Sequence, residues 1–156
     1  MGFSLAGLAV SLAVLAPNAI LIFFRPVDAL PPTRTPRPLT WLERAGQALC
    51  LVTPALTGQE PGDPWWFAAL AACIAVYLGL WVRYLATGRH VASLYAPLGL
   101  VPVPMALFPI AAFLLSAGWL GSWWIALAAT ILAAGHIPLA VATQRAIHAP
   151  SSTLEG

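Results

Sequence analysis

The sequence predicts an all-α fold: a polytopic membrane protein built as a compact five-helix transmembrane bundle with proline-kinked helices. Three observations carry this. Of the 156 residues, 60% are hydrophobic and only 8% are charged, whereas soluble domains carry about 25% charged residues. The mean hydropathy is +0.85, so most of the chain cannot face water. Apolar runs close to the roughly 20 residues needed to cross a bilayer recur five times along the chain.

Those runs are residues 3–24, 41–57, 65–85, 98–120 and 122–143. They place a single transmembrane domain over 1–150, followed by a polar tail over 151–156. The second run is short. The fourth opens with prolines and reads as helical only from about Pro104. The first could be a signal peptide, but the residues before it carry no positive charge, so a retained helix is expected.

Orientation follows from the arginines. All seven cationic residues are arginine, and there is no lysine. Arg25, Arg34 and Arg37 lie between the first two spans, and Arg44 just inside the second. Arg83 and Arg89 lie between spans three and four, and Arg145 follows span five. The other two connections carry no arginine, and 58–64 holds Glu60 and Asp63 instead. Cytoplasmic loops collect arginine and lysine, which predicts N-terminus out and C-terminus in, in a bacterial-type plasma (inner) membrane. Trp65, Trp66, Trp119, Trp123 and Trp124 then form an outer aromatic belt. The segment RPVDALPPTRTPRP (25–38) has five prolines, which forbid a helix. It reads as a cytosolic connector or as a strap over the inner face.

Helical residues turn by about 100°, so faces can be read from spacing. In span one, Ser4, Gly7, Ser11 and Asn18 share a face. In span two, Glu43, Gln47, Cys50, Pro54 and Thr57 form a stripe. In span three, Cys73, Tyr77, Trp81 and Tyr84 share one side. The other side carries Ala71, Ala75 and Gly79, where a helix could approach closely, either inside the chain or in a homo-oligomer. In span five, His136 shares its face with Ala129, Ala133, Ala140 and Thr143. Cys50 and Cys73 read as small reduced apolar residues.

Four spans put their most polar interior residue at a similar depth. Counting from the nearest inner boundary at about 1.5 Å per residue, His136 lies roughly 13 Å in, Asn18 and Gln47 roughly 10 Å and Tyr77 roughly 9 Å. Polar groups at such depth face a bundle interior or a wet cavity. The expected site is therefore a polar pocket open to the cytoplasm. Asn18, Gln47, Tyr77 and His136 line it, and Glu43, Arg44, Arg83 and Tyr84 lie just below. Glu43 reads either as an anion in the first turn of span two, favoured by the helix dipole, or as a partner of Arg83 or Arg89 or an acid/base. Hydrogen bonds tying helices together are the bland alternative for this set.

Pro17, Pro54, Pro109 and Pro138 fall inside spans. Each frees the carbonyl four residues earlier, on Ala13, Cys50, Met105 and Ala134. In lipid such a carbonyl needs a partner from protein, water or ligand.

The function read from these residues is binding or transport of a small amphipathic or anionic ligand. Two alternatives stay open: an integral-membrane enzyme acting on a lipid or isoprenoid, with Glu43 or His136 as acid/base, and a non-catalytic assembly or anchoring subunit. The residues alone do not decide whether the chain is an enzyme. No phosphate loop, paired-histidine or paired-cysteine spacing is present, so no metal site and no cofactor is assigned. The partners expected are the lipid bilayer, a lipid or small-molecule ligand and a second copy of the chain, with no nucleic acid.

Overall fold

The computed structural model describes residues 2–33, 35–57 and 62–149. Arg34, Glu60 and the tail 151–156 lie outside the described residues. Every named element is helical. The first span is α1 (Leu5–Leu15), a 3-10 turn (Ala16–Ala19) and α2 (Ile20–Phe23). Then come α3 (Arg37–Leu56), α4 (Pro64–Ala86), the short α5 (Val91–Tyr95), α6 (Pro104–Trp119) and α7 (Trp123–His148).

Three stretches are long and apolar enough to cross a membrane: Leu5–Phe23, Pro64–Ala86 and Trp123–His148. Only 22%, 28% and 33% of their most apolar windows is buried within the chain. The remaining apolar surface faces outward, more than a water-soluble monomer tolerates. The apolar α6 is shorter, and α3 carries Arg37, Glu43 and Arg44 in its first half and Gln47 just past its middle.

Each helix end has a local cause. Ser4 caps α1, its hydroxyl accepting from the Gly7 N–H at 3.1 Å. Pro17 removes a ladder N–H, and the helix tightens to the 3-10 turn there. Prolines sit in the first turn of α3, α4 and α6, where no ladder N–H is lost. The left-handed Gly88 (φ 85°) and Arg89 (φ 61°) turn the chain after α4.

α1 and α3 cross almost backbone to backbone. A Cβ on Gly7 would collide with the Pro54 carbonyl, so only glycine fits there. Ser4 N donates to Ala55 O at 2.8 Å. Ser11 Oγ donates at 3.0 Å to Cys50 O, the carbonyl that Pro54 deprives of its helical partner. The polar face of α1 thus repairs the broken ladder of α3. On α4, Cys73 Sγ donates to Phe108 O at 3.4 Å, and Trp66 covers Gly118 of α6. On the opposite face of α4, Ala71, Ala75 and Gly79 are exposed: the two alanines border a groove toward α1, and a Cβ on Gly79 would meet nothing within 4 Å among the described residues.

Removing the Ser11 hydroxyl should leave Cys50 O unsatisfied and cost about 1 kcal/mol, within the range seen for hydrogen bonds in membrane bundles. In a Pro54→Ala background the ladder N–H returns, so Ser11→Ala should cost measurably less. Unfolding of the four variants in a double-mutant cycle checks this, and equal costs in both backgrounds would contradict it.

Candidate functional site

The site begins where α3 and α7 meet, the most extensive helix contact in the protein. Two glycines allow it. A Cβ at Gly46 would collide with Leu132 of α7, and one at Gly135 with the backbone of Glu43, with Leu39 O only 2.9 Å away. With the backbones this close, the next residue along α7 reaches across. His136 Nδ1 lies 2.5 Å from Glu43 Oε1. With the carboxylate ionised, and so an acceptor only, Nδ1 is the donor of this bond. The imidazole is then oriented by the carboxylate, with Nε2 left for another partner. Both side chains are partly accessible, 30% for His136 and 21% for Glu43.

Two clefts adjoin this pair. The first, of about 370 Å³, is lined by Thr40, Glu43, Tyr95, Thr143, Asn18 and His136, with Leu21, Trp81 and Leu139 among its apolar walls. The second, of about 450 Å³, takes Arg44, Gln47, Ala48 and Leu51 from α3, Leu15 and Asn18 from the first span, and Pro109, Leu132 and His136 behind. Asn18, Met105 and His136 line both. Their sizes fall in the range of small-molecule sites. A third groove of about 380 Å³ between α1 and α4 is lined almost wholly by alanine, leucine and aromatic side chains and offers no group for chemistry.

Asn18, Gln47, His136, Glu43 and Arg44 therefore gather around the paired clefts. Tyr77, Tyr84 and Arg83 stand elsewhere. Tyr77 is buried behind Asn18, donating to its Oδ1 at 3.2 Å. Tyr84 donates to Phe24 O at 2.8 Å, closing the end of α2. Trp81 packs edge-on against both rings. Arg83 pairs with no carboxylate among the described residues. Its guanidinium donates to Ser93 O and Ala96 O, both at 3.2 Å. The pairing of Glu43 with Arg83 or Arg89, one of the readings of the sequence, is replaced by a pairing with His136. Arg83 is drawn instead to carbonyls of the broken segment after α4, which otherwise lack partners.

Several site residues carry little signal in the sequence. Gln144 Nε2 donates to Tyr95 O at 2.9 Å and to Pro102 O at 2.5 Å. With Arg83 on its other side, it pins the segment 93–103 that carries Leu94, Tyr95 and Val103 to the first cleft. Burial pushes the Tyr95 phenol above its ordinary value; the Thr143 hydroxyl opposes this, and the Glu43 carboxylate adds to it. Below, His90 Nδ1 meets Asp28 Oδ2 at 2.8 Å, and Val27 N donates to Arg89 O at 3.0 Å. The proline-rich connector is thereby tied to the turn after α4. Among the described residues, no group of His, Cys, Asp and Glu is placed to hold a metal ion.

Replacing Gly135 by valine forces α3 and α7 apart. It should cost on the order of 1–3 kcal/mol, as overpacking does, and separate His136 from Glu43. Gly79→Leu, into open space, should stay within about 0.5 kcal/mol of wild type. Thermal unfolding in detergent compares the two; equal tolerance would mean the helices do not touch at Gly135.

No protein-family model, no curated protein and no solved structure matches the chain.

Proposed function

We propose that the chain crosses the membrane five times, N-terminus out and C-terminus in, and binds a small amphipathic or anionic ligand in the paired clefts. The carrying observation is the His136–Glu43 pair, partly exposed, with His136 lining both clefts and Glu43 the first. A partly open carboxylate–imidazole pair between two cavities is poorly explained as packing alone. Further support comes from the convergence of α3, α5, α6, α7 and the first span on the clefts. The orientation is supported by contacts at the two ends. The connector after Arg25 bonds to Arg89 at one end, and Phe67 packs on Trp119, with ring centroids 5.0 Å apart, at the other. The clefts lie nearer the arginine end, which is cytoplasmic in this reading.

One observation favours a second reading. Glu43 on Nδ1 orients the imidazole as an acid/base would be oriented, so His136 could serve a membrane enzyme acting on a lipid or isoprenoid. In that role Glu43 positions and His136 transfers the proton.

Mass spectrometry of gently extracted protein tests the binding reading. Wild type should retain a discrete small molecule, and His136→Ala should lower its occupancy by about tenfold, the loss expected for one hydrogen bond to a charged group. The same bulk lipids on both, with no discrete ligand, would overturn it.

A further inference from the structure

The second cleft has a shape that names its ligand class. At the outer end, α1 and α3 are locked by Gly7 against Pro54 and Ser11 on Cys50. Past Pro17 the first span tightens into its 3-10 turn, and there the cleft opens between it and α3. Arg44, Gln47, Ala48 and Leu51 follow one another along two turns of α3, line the cleft and are all exposed. The opening is therefore on the flank of the bundle, where lipid stands, and this rests on the membrane reading above.

The lining is graded along the helix axes. At the arginine end stand Arg44, Asn18, Gln47 and His136. One or two turns toward the other end stand Leu51, Leu15, Pro109 and Leu132. Each helix contributes a polar or sulfur-bearing residue at one level and an apolar one at the other. The charge is graded as well. Glu43 is engaged by His136 and lines only the first cleft. Arg44, about 100° away around the helix, meets no carboxylate among the described residues. The polar end thus offers one uncompensated cation, two amides and one imidazole.

We propose that the second cleft is a lateral portal for a single-chain amphiphile with a monoanionic carboxylate head. The head lies on Arg44 and Gln47 beside His136, and the tail runs past Leu51 and Leu15 into the bilayer. A single guanidinium matches a single carboxylate charge in a fork geometry. A phosphate dianion would leave a charge unpaired in a low-dielectric site, which is costly.

The test is binding of radiolabelled palmitate to the full chain in phosphatidylcholine nanodiscs, with hexadecanol as the neutral competitor of equal chain length. Palmitate should bind saturably, and hexadecanol should compete at least about tenfold more weakly. Arg44→Gln should lower palmitate affinity by about tenfold and Arg44→Lys by less. Ala48→Phe, which fills the opening without touching the head, should also weaken binding while the thermal transition is kept. Equal competition by hexadecanol, or no effect of Arg44→Gln, overturns the carboxylate class and leaves ligand binding standing. Saturable palmitate binding unchanged by Ala48→Phe overturns the portal. Absence of palmitate binding in a protein that still carries a discrete co-purifying molecule overturns this proposal alone. Absence of both removes the ligand-binding reading as well.

Discussion

The close approach of α3 and α7 is the constraint on which the site depends. Two glycines, Gly46 and Gly135, let the two backbones come within a distance that no side chain would permit. Close approach is a main source of helix association in lipid, where apolar side chains gain nothing from leaving one oily solvent for another. Its consequence is chemical. Glu43 opposes Gly135, so the residue after that glycine, His136, lands on the carboxylate. A glycine in a helix costs about 1 kcal/mol relative to alanine, and here that cost secures both the packing and the pair.

A second rule shapes the rest of the molecule: no backbone carbonyl at membrane depth goes without a partner cheaply. Where the helices break or end, side chains take up several of the carbonyls left open. Ser11 serves Cys50 O, Tyr84 serves Phe24 O, and Arg83 and Gln144 together hold four carbonyls of the segment after α4. The stretch from Ala96 to Val103 can stay non-helical beside the first cleft because the carbonyls at and around it are bonded. The cavities and the broken backbone are two aspects of one arrangement. Helices that diverge at a proline leave space, and the polar groups that repair the break line or border it.

Much of this was legible in the residues. Hydropathy marked where apolar helices fall, and the 3.6-residue period put Ser11 and Gly7 on one face of α1 and Cys50 and Pro54 on one face of α3. The structure joins those faces. Depth counting put Asn18, Gln47 and His136 at one level, and they share the second cleft. Partnership was not legible. Charge alone directs Glu43 toward an arginine, and only the geometry of Gly46 and Gly135 directs it to His136. Arg83 read as a guard of the pocket because its charge is visible and the carbonyls it holds are not. Tyr95 ends the short α5 and Gln144 lies in the last turns of α7, both outside the apolar runs, so nothing local marked them. The Ala71, Ala75, Gly79 face showed its small-residue spacing plainly, but spacing cannot say what stands opposite: Ala71 and Ala75 border the groove toward α1, and among the described residues Gly79 meets open space.

The most direct test of the account is a nitrogen–carbon dipolar distance measurement by solid-state NMR between the His136 Nδ1 and the Glu43 side-chain carboxyl carbon, on protein in lipid bilayers. The account predicts strong coupling, as required by an Nδ1 to Oε1 separation of 2.5 Å, with the Nδ1 resonance that of a protonated nitrogen. Loss of that coupling in wild type, with the helices still formed, would contradict it, because the clefts would then lack the pair that gives them chemistry.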